Sequence, residues 1–248
     1  MNYVKESLQN NRIVRWNKKQ VLVYVSEITY PEYKSLQKEY NNLIKEALTT
    51  WNKVTQGKVK FILTQEQFGA DIIVKFTRVT QQAWGMCWYD NIVNSEFKNL
   101  TISLGLPNQY SGAKPTKNDK FVVILHEFGH ALGLDHNKKE SIMHAGYYPT
   151  SHHIFLLDFI TVNIIYDLPT GSYYNDIEKE IRKLEEKYQP IQKENLKTQN
   201  IERKNIQESL CEIGNLNLYK MTLQNNIQVP NKYKELMKNE QIKKYNTF

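Results

Sequence analysis

Residues 126–136 read H-E-F-G-H-A-L-G-L-D-H, and this run constrains the chain more than any other. Two histidines at i and i+4, His126 and His130, stand one helical turn apart, about 5–6 Å, on one face of a helix. Both imidazoles can then reach one zinc ion. Glu127 is rotated by about 100° around the axis, which suits a group working beside the metal as a base rather than as a ligand. A straight helix would carry His136 away from such a site, so the chain must turn. Gly133 enters the left-handed region freely, and can end the helix and swing His136 back as a third nitrogen ligand. Three protein ligands leave a fourth position open, as a catalytic zinc requires; a structural zinc closes it.

The bare H-E-x-x-H pattern is expected by chance about once in a hundred chains of this make-up, and adding Gly133 and His136 lowers that to about one in a hundred thousand. The rest of the composition restricts the setting. The 248 residues are 40% hydrophobic and 24% charged, enough for one sizeable core and an appendage, which excludes wholesale disorder. Apolar stretches such as Phe121 to Leu125 and Ile154 to Tyr166 stop short of the roughly 20 residues a bilayer demands. The net charge of +7 is spread along the chain and marks no nucleic-acid partner. Two cysteines, Cys87 and Cys211, are too few for a disulfide scaffold.

Along the chain, Gln20 to Ser26 alternates Val21, Val23 and Val25 on one face and is expected to be a strand. Tyr33 to Val54 is expected to be a helix, with Leu36, Tyr40, Leu43, Ala47, Leu48 and Trp51 on one face. Four further strands are expected at Val59 to Leu63, Asp71 to Phe76, Trp84 to Tyr89 and Leu100 to Leu104. Leu106 to Asp119, with Pro107, Gly112 and Pro115, should be a loop whose Asn118 or Asp119 caps the metal-bearing helix over Phe121 to Leu134. These elements make an α/β (α+β) sandwich. Pro169, Gly171 and Ser172 mark a boundary, giving an N-terminal extension over 1–15, a catalytic domain over 16–171 and a helical C-terminal appendage over 172–248. In that tail Ile177, Ile181, Leu184, Tyr188 and Ile191 keep heptad spacing, which Ile206, Leu210 and Ile213 resume. Pro190 and Pro230 divide it into two or three helices that could pack on the catalytic domain, self-associate or bind a protein partner.

The eleven-residue run, followed by Ser141-Ile142-Met143, resembles the metzincin metalloproteases, and its form is most similar to the matrixin branch. Trp51-Asn52-Lys53-Val54-Thr55, Ala70-Asp71-Ile72 and Asp158-Phe159 leading to Ile165-Tyr166 extend the resemblance over roughly 16–168. It implies a zincin-like domain with a mixed five-stranded sheet and three main helices. It also implies Met143 in a tight turn beneath the zinc, Asp158 anchoring that turn from the last helix, and Tyr147 near the wall of the S1′ pocket. Trp84, Gly85, Met86 and Cys87 would match the strand along which an extended substrate lies. Ala145 stands where the family usually has proline, with Pro149 later, and where other metzincin branches place a tyrosine ligand. All six histidines lie at or after His126, so the second, structural zinc of many matrixins is not expected in its usual form. Calcium sites are left open.

The implied activity is zinc-dependent hydrolysis of internal peptide bonds in a protein or peptide substrate, with Glu127 as general base and then acid. The competing readings are a catalytically silent peptide-binding protein and an adaptor driven by its tail. His144, His152 and His153 are read as surface or capping residues, and Cys87 as a free buried thiol. A minor reading lets Cys211 block the zinc. No cysteine precedes Cys87, so the propeptide switch of secreted matrixins is not expected within this chain. Met1 to Trp16 holds no apolar core of a secretory signal. The expectation is an intracellular protein as written, or a secreted one whose leading segment has been removed.

Overall fold

The computed structural model describes residues 2–78, 84–107, 115–145 and 154–188. Tyr147, Pro149, His152, His153, Cys211 and the tail positions from Pro190 onward lie outside these residues. The chain divides into two compact units, Met1–Gln189 and Pro190–Phe248, and every described residue belongs to the first. That unit also takes in residues 2–15 and 172–188, which composition alone sets apart. Tyr3, Val4, Ile13 and Val14 are buried, as are Ile177, Ile181 and Tyr188 on a helical stretch over 174–188.

The strands are β1 (Gln20–Val25), β2 (Lys60–Thr64), β3 (Ile72–Arg78), β4 (Gly85–Val93) and β5 (Glu96–Leu106). The helices are α1 (Gln37–Val54), α2 (Lys117–Ala131) and α3 (Leu156–Asp167). The five strands form one mixed sheet in the order β2-β1-β3-β5-β4. β1 runs parallel to β2 and β3, and β3 parallel to β5, while β4 returns antiparallel along β5 as an edge strand. This is the expected fold. Val21, Val23, Ile72, Val74, Leu100, Ile102 and Leu104 are fully buried and alternate along their strands, so they share the covered face of the sheet. Helices α1 and α2 pack on one another, α1 against β2 and α2 against β4 and β5. Trp51 Nε1 donates to Leu125 O (2.9 Å), and Tyr40 Oη to Gly105 O (2.8 Å), which tie the helices and sheet together.

Three details differ from the sequence reading. The expected helix at Tyr33 begins as a 3₁₀ turn, Pro31–Leu36, whose first position suits proline; the α-helical part starts at Gln37. Helix α2 is capped by Thr116, not by Asn118 or Asp119. Thr116 Oγ1 accepts from Asp119 N (3.2 Å), and Asp119 Oδ2 accepts from Thr116 N (2.7 Å), a reciprocal box that pulls the start four residues before Phe121. β4 and β5 are longer than expected and join in a hairpin through Asn94 and Ser95, both at positive φ. Two such residues give the twist a tight hairpin needs.

Candidate metal centre

The three histidines named by the sequence converge. Their Nε2 atoms lie 3.1 Å apart for His126–His130 and His126–His136, and 3.2 Å for His130–His136. Tetrahedral zinc with bonds of 2.0–2.1 Å would space them by about 3.3–3.4 Å, so the cluster is sized for such an ion. His126 Nδ1 lies 2.7 Å from Ile142 O, and His130 Nδ1 lies 2.8 Å from Leu134 O. A carbonyl only accepts, so both Nδ1 atoms donate and both Nε2 atoms turn lone pairs inward. Burial, reinforced by the neighbouring imidazoles, pushes His126 down to about 3 and His130 down to about 4. Both are therefore neutral at pH 7, as ligands must be. Lone pairs turned inward can hold a cation between them, and the donor set fits zinc. Among the described residues it is the one His, Cys, Asp or Glu cluster with metal-ligand spacing.

Local backbone chemistry brings His136 to the site. At the end of α2, Leu134 N donates to Gly129 O (3.1 Å) and Gly133 N to His130 O (2.8 Å), a Schellman turn. Gly133 has φ +92°, and a Cβ there would also meet Val14 O at 2.7 Å. Glycine is required on both counts. From this turn the chain returns beneath the site, where Asn137 N donates to Met143 O (3.1 Å) and Met143 N to Ser141 Oγ (2.8 Å). Met143 is fully buried.

Asp158 anchors this segment from α3. Its Oδ1 accepts from Tyr3 Oη (2.7 Å) and from Ser141 Oγ; its Oδ2 accepts from Ile142 N and Phe155 N, both at 3.0 Å. Burial nevertheless leaves the Asp158 carboxyl above its ordinary range. The network continues from Ile142, whose carbonyl holds His126. Sequence reasoning named Asp158 but missed Tyr3, whose partner lies 155 residues away, and gave Ser141 no role of its own. It missed Gly129 too. A Cβ on Gly129 would lie 2.3 Å from Met143 Sδ and 3.2 Å from Trp51 Cζ2, so the helix gives up a better helix former to admit the methionine. A glycine inside an apolar helical pattern was the available signal.

Glu127 is buried, and its Oε2 makes no hydrogen bond among the described residues. Burial pushes its carboxyl up to about 8, and a cation beside it would draw it back down. Of the expected substrate-side residues, Gly85 lies against Glu127, and Trp84 O accepts from Gly105 N (2.7 Å). Met86 is exposed and Cys87 half-buried. Burial, and behind it the charge of Glu127, pushes the Cys87 thiol well above its usual range. Tyr89, not singled out by the sequence, places its hydroxyl 3.3 Å from His130 O.

A mixed sheet with an antiparallel edge over a helix that carries two histidines, with a third returning through a glycine turn, defines a metallopeptidase-type centre. A matrixin family profile matches residues 15–167, and the chain belongs to that family of zinc-dependent peptidases. A search of curated proteins finds no match. Among the described residues no helix is long and apolar enough to cross a membrane.

Proposed function

We propose that this chain is a zinc-dependent endopeptidase that hydrolyses internal peptide bonds, with His126, His130 and His136 as ligands and Glu127 as the catalytic carboxylate. One observation carries the reading: three converging Nε2 atoms belong to a helix and turn that also carry a buried carboxylate, Glu127, whose Oε2 has no hydrogen-bond partner among the described residues. Zinc bound there would supply Lewis-acid activation, lowering the pKa of water toward about 7 and polarising the scissile carbonyl. Glu127 takes a proton from the attacking water as the new C–O bond forms, then delivers it to the amine nitrogen as the C–N bond breaks. Its low-polarity surroundings raise the carboxyl's proton affinity. Cys87 stays a neutral thiol, so no covalent intermediate through it is called for. The open edge of β4 offers main-chain groups at Trp84 to Cys87 to an extended substrate, and Tyr147 is proposed for the S1′ wall.

The test is purified wild type against Glu127→Ala, assayed for zinc by elemental analysis and for cleavage of quenched fluorescent peptides with and without chelator. Equal zinc in both, chelator-sensitive cleavage by wild type and a fall of about 10²–10⁴ in kcat in the variant would support the proposal. Absence of zinc from the wild type, or equal cleavage by both, would overturn it.

A further inference from the structure

Strand β4 turns alternate residues toward α2. Gly85 lies against Val123 and Glu127, and Tyr89, four residues along, lies against the His130 carbonyl. The strand thus follows the helix through the stretch that carries the catalytic carboxylate. A Cβ on Gly85 would stand 2.5 Å from Glu127 Oε1, 2.7 Å from Glu127 Cγ and 2.7 Å from Val123 Cγ1. No real Cβ sits that close to a neighbour, so one of these groups would have to move. The backbone itself asks for nothing special at this position. Gly85 is not among the glycines at positive φ, and a glycine inside a strand weakens it relative to alanine. Its missing side chain is therefore explained by what occupies the space, which is the Glu127 side chain together with Val123 Cγ1.

We infer that Gly85 is a positioning residue for Glu127: the gap it leaves fixes where the carboxylate stands relative to the three histidines. The inference rests on the endopeptidase reading, and adds a requirement for a residue that need not touch metal or substrate through any side chain. A larger residue at 85 meets Glu127 first, whose Oε1 is the nearest atom and the mobile end of its side chain, and so shifts the carboxylate while leaving His126, His130 and His136 in place. The loss then appears in kcat, because the shifted group serves the transition state, and not in zinc binding.

The full chain serves for the test, as wild type, Gly85→Ala, Glu127→Ala and the double variant, each measured for zinc content, thermal midpoint and peptide hydrolysis. Gly85→Ala should keep the zinc of wild type and lose about 100-fold in kcat, since misplacement by 1 Å costs on that order, with KM changed by less than about twofold. Its thermal midpoint should fall in the wild-type background and fall less in the Glu127→Ala background, where the crowded carboxylate is gone and only the Val123 contact remains. This cycle reads the contact between the two positions without activity. Equal falls in both backgrounds, or unchanged kcat in Gly85→Ala, would overturn the inference. An inactive wild type that still shows the coupled thermal shift would instead count against the peptidase reading alone.

Discussion

Tyr3 shows how far the support of one ligand reaches. Its hydroxyl meets Asp158, Asp158 holds Ile142 N, and Ile142 O holds His126 Nδ1, so a residue 123 positions away helps aim an imidazole. Tyr3→Phe keeps the ring and removes one donor from a buried carboxylate. It should cost about 1–3 kcal/mol in urea unfolding with zinc stoichiometry unchanged. The convergence of His126, His130 and His136 was legible because a cluster built on one helix and one turn has a spacing that sequence displays directly. Tyr3, Ser141 and the closeness of Gly85 to Glu127 were not, because each depends on segments brought together only by the folded sheet and helices. The role of Met143 came from resemblance, and its packing against Gly129 is the local physics behind it.

At the scale of elements, period predicted type well and ends poorly. All five strands stand where alternation in Gln20 to Ser26 and β-branched or aromatic runs in the other four put them, yet the β4–β5 hairpin was missed because its turn is Asn94-Ser95 rather than a glycine pair. The start of α2 was missed because Asn118 or Asp119 was read as the cap, when Asp119 is the acidic partner returning a bond to Thr116. Thr116→Ala should lower stability by about 0.5–2 kcal/mol, measured by thermal or urea unfolding. The three histidines proposed to hold zinc begin nearly three turns further on, so metal content should not change.

For the molecule as a whole, the helical stretch over 174–188 joins the first unit through charge as well as apolar burial. Asp167 accepts from Lys58 Nζ at 2.6 Å, from Tyr188 Oη at 2.7 Å and from Lys187 Nζ at 3.1 Å. Burial alone would raise the Asp167 carboxyl, but these three donors more than reverse it and hold it below its ordinary value of 3.8. A carboxyl whose folded pKa is depressed binds more protons unfolded than folded, so its contribution is full above pH 3.8 and is lost as pH falls through the folded value. Wild type should therefore be more stable than Asp167→Asn near neutrality, with the gap closing in acid. Urea titrations at a series of pH values would read this.

The edge strand carries a consequence of its own. β4 pairs regularly with β5 from Gly85 to Tyr89, then slips register between Tyr89 and Asn91 and again between Asn91 and Ile92. Bulges bend and twist a strand, so its free side is straight over only the first five residues, while Trp88, Ile92 and Val93 remain exposed beyond and beside them. A long straight apolar edge would invite two copies to zip together along their length. The irregularity turns that edge into a short ruler, long enough for a brief stretch of chain to lie against and too short for a second sheet to continue.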